Sequence, residues 1–190
     1  MKAATGPRDR PGEARLLVID AAGGALRDAR FADLAALLDP GDLLVVNDAA
    51  TLPASFPGRL RGEPVELRLA AWLDADRFEA VLFGAGDWRT RTEDRPAPPL
   101  AAAGDSIELP GFRFGIEERE GARLCRGRFD LAGDALVRAL LAAGRPVQYA
   151  HLRAPLAPWD VQTLWAGRPW SMELPSASFP FTFELLAALR

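Results

Sequence analysis

Apolar positions follow two different periods along this chain, and the change from one to the other divides it. Residues 15–20 (RLLVID) form a short apolar run of strand length, closed by a turn at Ala22-Gly23-Gly24. Phe31, Leu34, Leu37 and Leu38 recur at helical spacing. Asp39-Pro40-Gly41-Asp42 ends that helix, because proline disfavours helix before it and glycine accepts a turn. Residues 43–47 (LLVVN) are a continuous apolar run, the pattern of a strand buried on both faces. Strand, helix and strand in that order predict the opening of an α/β domain.

Beyond Pro53 the period drops to two. Residues 58–83 alternate, as in VELRLAAWL and RFEAVLF, with a hairpin turn at Asp74-Ala75-Asp76. Residues 84–104 form a long loop crowded with proline, glycine and charge, a type often functional or mobile. SIEL, FRFGIEER and ARLCRGRFD follow, joined by turns at Pro110-Gly111 and Glu120-Gly121. About six short antiparallel strands are enough for a small barrel or sandwich. Asp134 then reads as the cap of a helix carrying Leu136, Val137, Leu140 and Leu141 on one face and ending at Gly144. The last forty-odd residues are aromatic, broken by proline and irregular, until Thr182 caps a helix that begins a face of Leu185, Leu186 and Leu189. Residues 1–14 are polar, rich in proline and glycine, and read as loose.

Composition narrows the class. Hydrophobic residues are 49% and charged residues 26% of the chain, the balance of a soluble globular protein with a real core. No apolar run has the length of a membrane span, and the N-terminus has no signal-peptide core, so the cytoplasm is expected. Cys125 is the sole cysteine, which rules out an intrachain disulfide and a cysteine zinc cluster; a strand position reads it as a small buried hydrophobe. Lys2 is the sole lysine, so arginine supplies nearly all positive charge, as in chains from GC-rich genomes. The net charge of −3 shows no basic excess of the kind a nucleic-acid binder displays. No GxGxxG, P-loop or metal-ligand spacing is present.

The run RLLVID, RFADLAALLDPGDLLVVNDA and LPASFPGRL resembles the N-terminal portion of the S-adenosylmethionine:tRNA ribosyltransferase-isomerase family of the queuosine pathway. Asp160-Val161-Gln162-Thr163-Leu164-Trp165-Ala166 is similar to that family's Tyr-Gln-Thr segment, and Leu174 through Thr182 (LPSASFPFT) to its Ala-Pro-Thr-Ala-Gly-Leu-His-Phe-Thr signature, in matching order and spacing. Members run on well past this signature, so the chain resembles a first half, and its missing C-terminal half is an implied partner. The resemblance implies an α/β (barrel-like) domain, incomplete here, over residues 1–55 and 147–190. An antiparallel β-barrel domain with a trailing helix is inserted over residues 56–146. It also implies transfer of the ribosyl part of S-adenosylmethionine to a deazaguanine base in tRNA, with isomerisation, adenine and methionine leaving. That chemistry needs no metal and no cofactor beyond S-adenosylmethionine. It does need a base for the CH₂ acidified by the sulfonium, and a proton donor for adenine.

Departures from the pattern bear on that reading. Ala49-Ala50 stand for the family's Thr-Arg, Ser55 for an arginine, and residues 147–151 (VQYAH) for Pro-Pro-Tyr. Ser178 and Pro180 replace the signature glycine and histidine. A drifted paralogue acting on another nucleoside-type substrate, or a non-catalytic binding module, therefore stands as an alternative to the tRNA-modifying enzyme.

Candidate residues carry two readings each. Asn47 and Asp48 end an expected buried strand, where open α/β sheets place ligands; the bland reading is a turn bonding its own backbone. His151, the sole histidine, is a candidate proton carrier or a packed loop side chain. Asp48 is the other catalytic candidate. The resemblance assigns Gln162, Thr163, Ser176 and Ala177 to substrate contact. Trp159, Trp165 and Trp170 offer a stacking surface, or else core and seam packing.

Overall fold

In the computed structural model, which describes residues 4–7 and 9–190, the chain opens with a hairpin. Residues 1–3 and 8, part of the stretch read from sequence as loose, lie outside the described residues. Strand β1 (Arg15–Ile19) pairs antiparallel with β2 (Leu26–Arg30). The turn between them is held by Asp20, whose Oδ1 accepts the N–H groups of Ala22 and Gly23 at 3.0 Å each, and Gly24 supplies a φ of 69°. Strand β2 was not legible as alternation, because LRDAR is almost all exposed.

The expected helix over Phe31, Leu34, Leu37 and Leu38 is corrected to a six-residue 3₁₀ helix, Phe31–Ala36. Strand β2 claims the residues before Phe31, and Asp39-Pro40 stops the chain soon after, leaving too little length to repay α-helix nucleation. The buried strand expected at residues 43–47 is also corrected. No strand forms there, and Leu43 and Val45 are 87% and 81% exposed. The strand lies later, at β3 (Ala49–Thr51). It is short because a strand exists only where a neighbour takes its hydrogen bonds, and its partner reaches no further.

Six antiparallel strands then close into a barrel. Strands β4 (Ser55–Leu60), β5 (Glu63–Trp72), β6 (Arg77–Phe83), β7 (Ser106–Leu109), β8 (Phe112–Glu120) and β9 (Leu124–Phe129) run in the order β4-β5-β6-β9-β8-β7, with β7 returning to β4. Closure removes the free edges that an open sheet exposes. Phe56, Leu67, Phe78, Ile107 and Phe114 fill the interior, each with at most a trace of exposure. Cys125 is among the buried residues, and burial pushes its thiol up to about 11, so it is packing and not a nucleophile.

Helix α1 (Gly133–Ala143) packs onto the barrel through Leu136 and Leu140, both fully buried. Its cap is corrected: Ala132 occupies the N-cap, Gly133 takes a φ of 55°, and Asp134 sits in the first turn. Gly144 ends the helix as expected, donating to the Leu140 carbonyl at 2.9 Å. The chain then returns past the start of the barrel: Ser55 and Arg145 exchange backbone hydrogen bonds of 3.0 and 2.9 Å. Strand β10 (Arg168–Ser171) pairs parallel with β3, the α/β element of the chain. Helix α2 (Phe183–Ala188) is capped by Thr182, whose Oγ1 accepts from the Leu185 N–H at 3.2 Å.

One close approach makes the barrel testable. A Cβ at Gly127 would lie 2.0 Å from the Gly115 carbonyl oxygen and 2.9 Å from the Phe114 ring, whereas one at Gly115 meets only the Arg128 carbonyl oxygen at 3.8 Å. Gly127→Ala is expected to cost about 1–3 kcal/mol by urea unfolding, the range of overpacked cores. Gly115→Ala should cost far less, and equal losses would refute this contact between β8 and β9.

Candidate functional site

The irregular last quarter of the chain is held by side chains bonding backbone. Gln162 clamps β3 from both sides, its Oε1 accepting the Thr51 N–H at 2.9 Å and its Nε2 donating to the Thr51 carbonyl at 2.8 Å. Thr51 Oγ1 donates to the Val161 carbonyl at 2.8 Å. Asp160 accepts the Ala157 N–H at 2.8 Å and starts the 3₁₀ turn Pro158–Val161. Trp165 donates to the Asn47 carbonyl at 2.9 Å and meets Phe181 edge to face, and Phe181 meets Phe31 in the same way. Segments with no ladder of their own are thus fixed by capping and aromatic contact.

These segments enclose a groove of about 450 Å³, a volume typical of small-molecule sites. Its walls are mostly apolar, with Val147, Leu156, Val161, Leu174 and Phe179 among them. The polar groups converge on one side. Tyr149 stacks on His151 with ring planes 9° apart, and its hydroxyl donates to Glu173 Oε1 at 2.9 Å. Partial burial of a side chain that stays 43% exposed, then the hydrogen bond to Glu173 and its negative charge, raise the Tyr149 phenol above its ordinary value. Ser176 and Asp160 also line the groove.

Beside the groove, against the barrel, lies a buried ion network. Glu66 and Arg68 point outward on β5 yet are 5% and 7% exposed, because the long loop after β6 folds over them. Arg95 from that loop bonds Glu66 Oε2 and reaches the Gly84 carbonyl at 2.8 Å and the Gly86 carbonyl at 3.0 Å. Arg68 and the Ser55 hydroxyl both donate to Glu66 Oε1. The Phe83 ring receives three guanidinium groups, Arg68 at 4.7 Å, Arg123 at 4.9 Å and Arg95 at 5.3 Å. Burial alone would raise the Glu66 carboxyl, but the hydrogen bonds from Arg68 and Arg95 outweigh it and hold the carboxyl below its ordinary value.

Comparison with known proteins now decides the family. The sequence matches the family described as "Queuosine biosynthesis protein" over residues 1–190. The chain belongs to this queuosine biosynthesis family. It is 34% identical to the S-adenosylmethionine:tRNA ribosyltransferase-isomerase of Rhodospirillum rubrum, over 97% of this chain and 49% of that protein. It is 36% identical to the protein of the same name from Parvibaculum lavamentivorans, over 97% of this chain and 51% of that protein. The chain therefore spans about half the length of the curated relatives it matches. A solved S-adenosylmethionine tRNA ribosyltransferase from Thermotoga maritima superposes with a TM-score of 0.36 at 18% identity, covering 98% of this chain and 49% of that one, too loosely to bear on the site.

Within this family member the candidate residues part company. His151 and Ser176 line the groove; Ala177 follows Ser176 and is exposed. Gln162 is engaged with Thr51, and Thr163 Oγ1 is buried without a partner. Asn47 and Asp48 lie on the exposed segment before β3, where Asn47 Oδ1 accepts the Ala49 N–H at 2.9 Å and the Asp48 carbonyl accepts from Gly167 at 2.8 Å. Trp159 and Trp170 are 77% and 59% exposed, and Trp165 is in the aromatic contact above. Sequence reading missed Tyr149, Glu173, Glu66, Arg68 and Arg95. Tyr149 is the sole tyrosine, a signal uniqueness alone could have offered; the alternation of VELRL carries no sign of the loop that covers its charges.

Because Tyr149 is the sole tyrosine, absorbance at 295 nm titrates it alone. Its midpoint is expected above the usual ~10, and Glu173→Gln should lower it. The raised value implies stability that is present below the unfolded pKa and lost as pH rises through the folded one. A midpoint at or below the ordinary value would show that the phenol does not donate to Glu173.

Proposed function

We propose that this chain carries the donor-binding part of a cytoplasmic tRNA-modifying transferase-isomerase, which moves the ribosyl group of S-adenosylmethionine to a deazaguanine base in tRNA. The observation that carries the reading is the groove. One cavity of nucleoside-ligand size gathers the sole histidine, a tyrosine–carboxylate pair and Ser176 against apolar walls. Its family membership and relatives of that name support the same reaction. In this reading the Glu173 carboxylate faces the sulfonium charge, the stacked Tyr149 and His151 rings offer a face to the cation, and His151 carries a proton in the departure of adenine. Asn47 and Asp48 sit outside the groove and take no part in it.

Ser55, one of the departures from the family pattern, stands opposite Arg68 in the register of β4 on β5, and both donate to the Glu66 carboxylate.

The test is calorimetry with S-adenosylmethionine, followed by adenine and methionine release in the presence of the precursor tRNA, in a chain of the relatives' full length. Binding is expected, and His151→Gln should lower turnover by about 10²–10⁴, well beyond any loss of affinity from the missing ring face. Absence of binding would sink the reading.

The exposed apolar run at residues 43–46 fits the same proposal: the length that the relatives have beyond this match would cover it. Val45→Asp, at a site 81% exposed, is expected to change the stability of the 190-residue chain by less than about 0.5 kcal/mol. In a chain of the relatives' length the same change should lower Tm by several degrees. A negligible effect in both would mean that nothing covers the run.

A further inference from the structure

A second, smaller pocket of about 40 Å³ lies between the barrel and the groove, bounded by Ser55, Glu66, Arg68, Asp87, Trp88, Arg145 and Gln148 among others. Gln148 is the residue common to both cavities. It is 4% exposed, and its two ends differ: Oε1 accepts the Leu156 N–H at 2.7 Å, while Nε2 is buried with no hydrogen-bond partner. A buried donor left unpaired in a native structure calls for an explanation, and an acceptor arriving with a ligand is one.

The acceptors around this pocket are already engaged. Both Glu66 oxygens take arginine hydrogen bonds, and Ser55 donates to the same carboxylate. Asp87 is occupied by the Arg89 N–H and guanidinium. The free groups are donors. Arg68 bonds Glu66 only through Nε among the described residues, and Arg145 has no ion-pair partner among them. Among the lining charges Arg68 and Arg145 balance Glu66 and Asp87, and Arg95 and Arg89, which pair with those two carboxylates from outside the lining, tip the cluster positive. A pocket whose carboxylates are engaged and whose free groups are donors, in a cluster that is net positive, selects an oxyanion. Its volume fits a chain end. A carboxylate is such an end, whereas a backbone phosphate continues on both sides and needs a trough.

We infer that this pocket is a carboxylate subsite, holding the amino-acid carboxylate of a ligand whose nucleoside end lies in the groove, with Gln148 Nε2, Arg68 and Arg145 as donors. The ligand's identity rests on the donor-binding reading above; the anion site itself does not.

Two measurements separate these. The indole N–H resonance of Trp88, assigned with Trp88→Phe, is followed by NMR while acetate is titrated into the 190-residue chain. A saturable shift is expected in the wild type and not in Gln148→Glu, which keeps the acceptor for Leu156 but replaces the free donor with negative charge. Arg145→Gln, at an exposed residue, should weaken the response without affecting the fold. No saturable shift, or one unchanged in both variants, overturns the anion site. Calorimetry then compares S-adenosylmethionine with its decarboxylated analogue. The intact compound should bind at least about tenfold more tightly, the ratio one charge-assisted hydrogen bond carries, and Gln148→Glu should abolish the difference. Equal binding of the two overturns the carboxylate assignment while leaving the groove reading intact. A Trp88 response to acetate with neither compound bound overturns the ligand and the groove reading together. Loss of anticodon stem-loop binding in Gln148→Glu, with S-adenosylmethionine binding unchanged, would assign the pocket to a tRNA phosphate and overturn the proposal.

Discussion

The Glu66 carboxylate joins three parts of the molecule that sequence keeps apart. It receives Arg68 from its own strand, Ser55 from the strand before and Arg95 from the loop after β6. Arg95 in turn bonds the Gly84 and Gly86 carbonyls, so a segment without secondary structure is fastened by backbone bonds to one guanidinium. A buried charge pair is weak evidence for net stability, but breaking one side leaves an uncompensated ion. The network therefore acts chiefly as a constraint on shape. It fixes the loop over the outer face of β5, and it keeps that face polar beside the groove.

The barrel was legible because its signal is local. Alternation, two-residue turns and paired glycines specify hairpins between neighbours in sequence, and β5 to β9 form close to where the pattern puts them. The closure of β7 onto β4 was not legible, since it joins Arg59 and Leu60 to residues 107 and 108 with no local cue. The failures are of the same kind. LLVVN has the composition of a buried strand, yet burial is a property of partners, and in this chain the partner β10 meets β3 instead. Period two puts Glu66 and Arg68 on the face of β5 opposite Val65, Leu67 and Leu69; the loop that covers them is not readable from the strand.

The candidate site divides along the same line. His151 and Ser176 were found because one is unique and the other sits in a signature. Tyr149 and Glu173 are 24 positions apart and unremarkable in sequence; only the fold makes them a pair. Ser55 shows the converse. As a sequence departure it is one residue, but the register of β4 on β5 puts Arg68 opposite it, and both bond Glu66. A substitution read in one dimension is a single residue, while in a sheet its meaning depends on the cross-strand neighbour.

The position of the groove follows from how the chain leaves the barrel. A Cβ at Gly144 would lie 2.6 Å from the Phe56 ring and 2.7 Å from the Pro53 carbonyl oxygen, so only glycine lets α1 end this close to the start of β4. Directly after it, Arg145 exchanges hydrogen bonds with Ser55 and brings the segment from 145 to 149 alongside the barrel. Arg145 then faces the small pocket, Gln148 forms the wall shared by both cavities, and Tyr149 and His151 turn into the groove. The division is sequential and not alternating: Arg145 and Pro146 line the small pocket, and Val147 onward lines the groove, with Gln148 between them. One glycine and one backbone bridge thus fix the point at which the chain passes from the barrel's ion network into the groove.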